Sequence, residues 1–377
     1  MNFYRLMIMG LIGCSLTACS DKQASQPTDS SLDLLIGSYA EAATEGLQLY
    51  RFDPAKGEAT KVRAFTGIQD PSFQAWNADG SRLYSVSETN TDQASLVAYR
   101  FDKASGELTR INEQLTHGTA PCYVWVDSQG RLAVTANYNG GSISAFPIQA
   151  DGSLQPAEVI AFEGGTPGSE RQSAPHLHCI YASPDEHYLY ANDLGTDRIH
   201  KFELVASETG LRLQPGTPAF FQLTAGEGPR HTTFHPNGRW AYLIGELSGH
   251  VTFLSYEDGN LTPVQTIEAD SLHAAGSADI HITPDGRFLY ASNRLQGDGI
   301  AIFSIDQATG ELTKVGYQLT GIHPRNFLIT PDGKFLLCAC RDSDLTQIFS
   351  IDPETGLLTD TGRSIASSKP VCLKFRP

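Results

Sequence analysis

Beyond the first twenty residues the chain has no long apolar run, and long helical periodicity is missing throughout, which argues against a helical bundle and against a spanning helix. Charge is sparse at 18% and lopsided, with 27 Lys and Arg against 42 Asp and Glu for a net charge of −15. There is no Lys/Arg run and no interleaving of basic and aromatic residues, so a phosphate backbone would be repelled and nucleic acid is excluded as a partner. Cysteine is scarce: after Cys19 only Cys122, Cys179, Cys338, Cys340 and Cys372 remain, an odd number at spacings that match no zinc pattern. They read as small buried residues rather than as a disulfide framework or metal ligands, and no metal or other cofactor is expected. A serine nucleophile elbow, a phosphate loop and a His-Glu-x-x-His helix are all missing, which removes the common covalent, nucleotide and zinc hydrolases.

The chain is rich in turn formers, with 35 Gly and 20 Pro in 377 residues. A unit with the sense Pro-x-strand-Pro-Asp-Gly-x-x-Leu-Tyr-x-x-Asn, then Ile-x-x-Phe, then Thr-Gly-x-Leu-Thr recurs, most clearly from Ala278 and from Pro324, more weakly from Pro71, Pro121, Leu177 and Pro229. Its turn positions Gly80, Gly130, Glu186, Gly238, Gly286 and Gly333 lie 50, 56, 52, 48 and 47 residues apart, the length of four short strands. Four-stranded units repeated around an axis form an all-β propeller. Leu32 to Tyr39 reads as a second strand without a first, and Pro370 to Pro377 as a first strand without a second. Joined, they complete a seventh blade and close the ring, which removes exposed sheet edges.

The N-terminus carries Arg5, an apolar run from Leu6 to Leu16, and Leu16-Thr17-Ala18-Cys19. This is the pattern of a signal peptide, and its ending resembles a bacterial lipobox, which implies lipidation of Cys19. The expected organisation is therefore a lipoprotein signal at 1–18, a polar tether at 19–31 and one seven-bladed propeller at 32–377. The membrane is met only through the anchor, at the periplasmic face of the envelope, with the outer membrane favoured because Ser20 rather than Asp follows Cys19.

In a propeller blade the chain enters the first strand and leaves the second at one face, so both sets of positions crowd around one mouth of the central channel. The residue six before the turn proline is Ser72, Cys122, His178, Arg230, Ala278, Arg325 and Val371 in successive blades. The residue ten after it is Glu88, Tyr138, Leu194, Glu246, Arg294 and Arg341, preceded in three blades by Asn137, Asp193 and Asn293. A Glu, His and Arg cluster of this kind suits non-covalent chemistry on an anionic substrate, with Arg clamping a carboxylate or phosphate and polarising a carbonyl while His or Glu moves a proton. His231 and His281 read as hydrogen-bonded wall residues that could also contact substrate, with Asn137, Asp193, Asn293, Arg325 and Arg341. The longest inter-blade loop, Gly164 to His176, is placed to fold over the mouth. Arg230 is expected to be dispensable for folding, as a residue at a channel mouth.

Gln172-Ser-Ala-Pro-His-Leu-His178, Ala191-Asn-Asp-Leu-Gly-Thr-Asp-Arg-Ile199, Gly228-Pro-Arg-His231, Phe234-His-Pro-Asn-Gly238, Gly245-Glu-Leu247, Ala291-Ser-Asn-Arg294 and Thr135-Ala-Asn-Tyr-Asn-Gly-Gly-Ser142 resemble the bacterial lactonase family of seven-bladed propellers. That family includes propeller-type 6-phosphogluconolactonases and fungal carboxy-muconate lactonising enzymes. The resemblance implies hydrolysis of a sugar-acid lactone, with an anionic lactone as partner. It also implies a catalytic set of His176 or His178, Arg230, Glu246 and Arg294, in which Glu246 orients the histidine that activates water. Three alternatives stand beside it: a propeller that binds a ligand or protein without chemistry, a lactonising cycloisomerase, and a metal-dependent lactonase using Glu88, Asn137, Asp193 and Asn293.

Overall fold

The computed structural model describes Met1, residues 31–207 and residues 210–377. The segment expected to be a signal, apart from Met1, the expected lipidation position Cys19 and nearly all of the expected tether fall outside the described residues. The described chain is built from seven four-stranded antiparallel sheets, and its one helical segment is the 3-10 turn Arg341–Ser343. No helix among the described residues is long and apolar enough to cross a membrane.

Each sheet begins with an inner strand: β4 (Gln74–Trp76), β8 (Pro121–Val126), β12 (Leu177–Ala182), β16 (Pro229–Phe234), β20 (Ser277–Ile282), β24 (Pro324–Ile329) and β28 (Pro370–Phe375). Every inner strand touches the inner strands of both neighbouring sheets, so these seven line the axis. The composite blade is as the sequence predicts: β28 pairs with β1 (Leu32–Ser38), followed by β2 (Leu47–Asp53) and β3 (Glu58–Phe65).

The repeat residues have identifiable duties. In the Pro-Asp-Gly turn, Asp285 Oδ1 accepts from Thr283 Oγ1 at 2.6 Å and from the Arg287 amide at 3.1 Å, while Gly286 takes a φ of 76° that a side chain would resist. The Tyr of the Leu-Tyr strand sews one blade to the next: Tyr84, Tyr242 and Tyr290 donate their hydroxyls to the carbonyls of Gly152, Gly310 and Gly356 at 3.1, 2.7 and 2.8 Å. Between the sheets lie seven apolar clusters, one for each consecutive pair of blades, including the pairs on either side of the composite blade. All five cysteines are buried in these strands as free thiols.

Candidate active site at the channel mouth

In six of the seven sheets the pairing of inner and second strand slips at one place, just after the inner strand begins. The slip between Leu177 and Cys179 leaves His178 as the extra residue; Arg230, Arg325, Cys122 and Val371 are the extra residues of their own strands. A β-bulge frees a side chain from the alternation of its strand and re-aims it. These five residues, with Ser72 just before β4, line one cavity and form an inner ring turned into the channel; Ala278 completes the aligned set without lining that cavity.

The second register is fixed by one repeated backbone bond. The amides of Glu88, Tyr138, Leu194, Glu246, Arg294 and Arg341 donate to the carbonyls of Asp70, Ala120, His176, Gly228, Gly276 and His323, and the same bond in the composite blade is Tyr39 to Lys369. Tyr39 therefore belongs to this outer ring, although the sequence reading omitted it. Its hydroxyl donates to Glu88 at 3.1 Å, and its ring lies 5.5 Å from the Arg325 guanidinium.

Glu246 stands at the centre of the charged half of the mouth. Its Oε2 accepts from Arg230 Nε at 2.9 Å and lies 3.3 Å from Arg294 Nη2, while its Oε1 accepts from Arg171 Nη2 at 2.6 Å. Burial by itself would raise the Glu246 carboxyl; the guanidinium groups of Arg294, Arg230 and Arg171 override this and hold it at about 2. Glu246 is thus a fixed anion that orients arginines, and its described contacts include neither histidine of the Pro-His-Leu-His segment. His176 instead donates Nδ1–H to the Tyr138 carbonyl at 2.9 Å and stacks on the Tyr138 ring at 4.5 Å.

Arg230 is 2% exposed, far from the dispensable mouth residue the sequence suggests. Its Nη1 donates to the Ala278 carbonyl at 2.6 Å and meets His231 Nε2 at 3.2 Å. A guanidinium only donates, so His231 Nε2 must accept, and His231 Nδ1 carries the proton it gives to Asp279 Oδ1 at 2.7 Å. Burial and the charge of Arg230 push His231 down to about 4, so it is neutral at pH 7. The same motif recurs one blade further around the mouth: Arg294 Nη1 meets His323 Nε2 at 3.3 Å, His323 Nδ1 faces Asp342 at 3.5 Å, and burial together with Arg294 brings His323 down to about 3. His323, which reads as a loop residue in the sequence, is thus part of the site.

His178 and Arg325 of the inner ring lack a hydrogen-bond partner for a titratable or charged group among the described residues, and the Ser72 hydroxyl beside them is unpaired as well. His178 is buried, with Tyr138 and His231 edge-on at 5.6 and 5.2 Å, and its Nδ1 has no hydrogen-bond partner. Burial, Arg230, His231 and Arg325 hold it well below the usual histidine range. Arg325 is stacked near Tyr39, and among the described residues its guanidinium has neither a hydrogen bond nor an ion pair within 4 Å. Both line one cavity with Glu88, Cys122 and Arg230, and at about 10 Å³ that cavity holds roughly one water. A sugar-sized ligand must therefore sit above the inner ring. The larger groove of about 640 Å³ beside Tyr39 carries Glu41, Glu45 and Asp344 against Lys61 and Lys369, with Lys61 already paired to Glu45, so its charged lining is net negative and a poor match for an anion.

Several expected contact residues are already committed. Asn137 bonds Ser142, Ser144 and Thr135; Asp193 accepts from the amides of His176 and Gly195 and from Thr196; Asn293 bonds Ser277 and the Ala269 carbonyl. These three support the mouth from below and leave no open oxygen set with Glu88 for a cation; among the described residues no cluster of three or more His, Cys, Asp and Glu is placed to hold a metal. His281 joins His231 on Asp279, at 3.1 Å, on the channel wall. Arg341 turns to Asp342 at 2.6 Å and is more open than the inner arginines. The sequence reading missed Arg171, the single Lys or Arg between Arg131 and Arg198, which is the signal that could have drawn attention to it.

A family profile described as "Lactonase, 7-bladed beta-propeller" matches residues 33–375. A 6-phosphogluconolactonase of Bacillus subtilis is 36% identical over 346 residues, 90% of this chain and 97% of that protein. Among solved structures, a Bacteroides fragilis chain provisionally described as a 6-phosphogluconolactonase superposes with a TM-score of 0.90 at 50% identity, covering 93% of this chain and 99% of that one. The periplasmic gluconolactonase of Pseudomonas aeruginosa superposes with a TM-score of 0.87 at 34% identity, covering 92% and 99%. With this fold, this mouth and a match over nearly the whole propeller, the chain belongs to the family of seven-bladed lactonase propellers.

Proposed function

We propose that the protein hydrolyses a sugar-acid lactone at the channel mouth, with an anionic lactone as substrate. The observation that carries this reading is a pair of unmatched titratable or charged groups in the inner ring: the His178 Nδ1 without a partner and, in the same cavity, the Arg325 guanidinium without a hydrogen bond. The named activities of the Bacillus and Pseudomonas relatives supply the reaction class.

The residues divide the work as follows. Neutral His178 accepts a proton from water at Nδ1 as the water oxygen bonds to the lactone carbonyl carbon. The carbonyl oxygen becomes an oxyanion facing Arg325 and Arg230, whose positions are set before the substrate arrives. Collapse of the tetrahedral intermediate breaks the ring C–O bond and His178 returns its proton to the leaving oxygen, while the carboxylic acid that forms loses its remaining water-derived proton to solvent and leaves as a carboxylate. Protonating His178 beside two guanidinium groups is costly in the empty site; the negative charge of substrate and oxyanion offsets that cost, so the base strengthens as the transition state forms. Glu246 and Arg294 act by holding Arg230 in plane, and His176 holds the Tyr138 edge.

The test is pH-controlled proton release by the purified chain on phosphorylated and unphosphorylated aldonolactones, with spontaneous hydrolysis subtracted. Turnover that falls at least ~100-fold in His178→Gln supports the reading; a variant with wild-type kcat/KM sinks it.

The Leu-Thr-Ala-Cys ending supports an exported, lipid-anchored protein at the periplasmic face, favouring the outer membrane, and the periplasmic relative of Pseudomonas agrees with export. Mass spectrometry of the N-terminal peptide from cells would read this directly: an acylated Cys19 supports it, and an unmodified Met1 or Cys19 refutes it.

A further inference from the structure

The connection between β11 (Glu158–Ala161) and β12 is a strap of fifteen residues whose backbone is tied at several points. Phe162 donates its amide to the Gly141 carbonyl, and Thr166 donates to the Gln172 carbonyl at 2.6 Å. The Gln172 side-chain amide donates to the Leu194 carbonyl at 2.9 Å and to Asp197 Oδ1 at 2.8 Å, and the His176 amide donates to Asp193 at 2.7 Å. Arg171 is next to the pinned Gln172, so its backbone is held while its long side chain, 41% exposed, extends over the mouth to Glu246.

Glu246 is one anion shared by three guanidinium groups, and two of them, Arg230 and Arg294, are buried on its Oε2 from below. They already neutralise it. Arg171 comes from outside to Oε1 as a surplus cation, with the Tyr138 hydroxyl at 3.5 Å as its other neighbour. Since the cavity lined by the inner ring has room for only about one water, a lactone sits above that ring, on the level where Arg171 reaches Glu246.

We propose that Arg171 is a partner-exchanging latch: in the empty site it caps Glu246 Oε1, and on binding it swings to the negative group of the ligand, which makes the strap the selector for anionic over neutral substrates. The proposal rests on the lactonase reading for the identity of the ligand. It needs no opening of the strap, only a change of rotamer, because the surrounding backbone is fixed. The exchange is near neutral for Glu246, which keeps Arg230 and Arg294, and it is favourable for a ligand whose charge would otherwise lie at the surface.

The experiment compares the full chain with Arg171→Ala and Arg171→Lys in two measurements. Calorimetric titration with 6-phosphogluconate and with gluconate gives a selectivity ratio that does not depend on turnover, and steady-state hydrolysis of the two matching lactones gives a second ratio. The wild type is expected to bind the phosphorylated acid at least tenfold tighter. In Arg171→Ala that ratio should fall about tenfold, through KM rather than kcat in the lactone series, with Arg171→Lys restoring part of it. A wild type with no preference for the phosphorylated acid, or an alanine variant that keeps the full ratio, overturns the latch. If the binding ratio collapses as expected while the wild type hydrolyses neither lactone, the latch stands and the lactonase reading fails; hydrolysis with an unaltered ratio has the reverse meaning.

Discussion

Arg230 and Arg294 converge on one carboxylate oxygen, Glu246 Oε2, and each lays a second nitrogen against the acceptor nitrogen of a neutral histidine whose other nitrogen faces an aspartate. The two arms, Arg230–His231–Asp279 and Arg294–His323–Asp342, set the charge state of the mouth, because each histidine can accept from its arginine only while unprotonated.

Stability should therefore fall in mild acid. Folded-state values of about 4 for His231 and about 3 for His323 lie below their unfolded value of roughly 6.5, so the unfolded chain binds more protons and stability is lost as pH falls from ~6.5 toward those values. The Glu246 carboxyl, at about 2 when folded, adds to the loss below ~4.5. Urea unfolding between pH 7.5 and 4.5 should show a slope approaching ~1.4 kcal/mol per pH unit for each buried histidine, and His231→Gln should reduce it. A flat profile would mean that these histidines are not buried neutral.

Glu246→Gln removes the carboxylate that Arg230, Arg294 and Arg171 share. Breaking a buried charge network on one side leaves uncompensated charge, at a cost of about 3–5 kcal/mol. Chemical denaturation should show that loss, together with turnover reduced at least ~100-fold because Arg230 is no longer held in plane.

Arg325→Met should behave in the opposite way toward stability. Among the described residues the Arg325 guanidinium makes no hydrogen bond or close ion pair; it repels Arg230 and Arg294, and the nearby Tyr39, Glu88 and Glu246 offset that repulsion by favouring its charge. Its removal should leave the melting temperature nearly unchanged while kcat/KM drops by ~100-fold or more, the pattern of a group placed for the ligand rather than for the fold. A clear drop in melting temperature would show that Arg325 is structural.

Gly195→Ala addresses the strap's end. A Cβ there would run into the Ala174 carbonyl oxygen and come within 3.0 Å of the His176 amide nitrogen, neither of which can turn aside as a side-chain tip could. The His176 segment must shift, so activity should fall several-fold with KM rising, readable in steady-state kinetics alongside a circular dichroism spectrum that stays all-β.

Deleting residues 370–377 should abolish cooperative unfolding. Val371, Cys372 and Leu373 are 2%, 0% and 1% exposed, Leu373 donates its amide to Asn326 at 2.7 Å, and Arg376 pairs with Asp33 at 2.8 Å. A truncated chain that melts as sharply as the full one would contradict the closure.

The ring was legible because its signals are local. Turn chemistry, the Leu-Tyr strand and the 47–56-residue period are all read within one repeat, and aligning repeats placed His178, Arg230 and Arg325 in one ring and Glu246 and Arg294 in the other. What stayed hidden depends on partners far away in the chain. Tyr39 was missed because its blade is assembled from both ends, and Arg171 because its partner lies 75 residues on. Asn137, Asp193 and Asn293 looked like ligands because their side chains are polar; only three-dimensional placement reveals that loops and neighbouring hydroxyls have already claimed them. The bulges that aim the inner ring leave no mark in composition, since Cys122, His178, Arg230, Arg325 and Val371 share a position and no chemistry.

The strand that closes the ring also sets a timetable. β28 is made after every other strand, yet it is the innermost strand of the sheet whose other members, β1 to β3, are made first. Until it emerges, the first three strands have no inner partner, and the apolar faces shared between the composite blade and its two neighbours stay uncovered. No nascent chain that stops short of β28 can complete the composite blade, so closure of the ring waits for this strand.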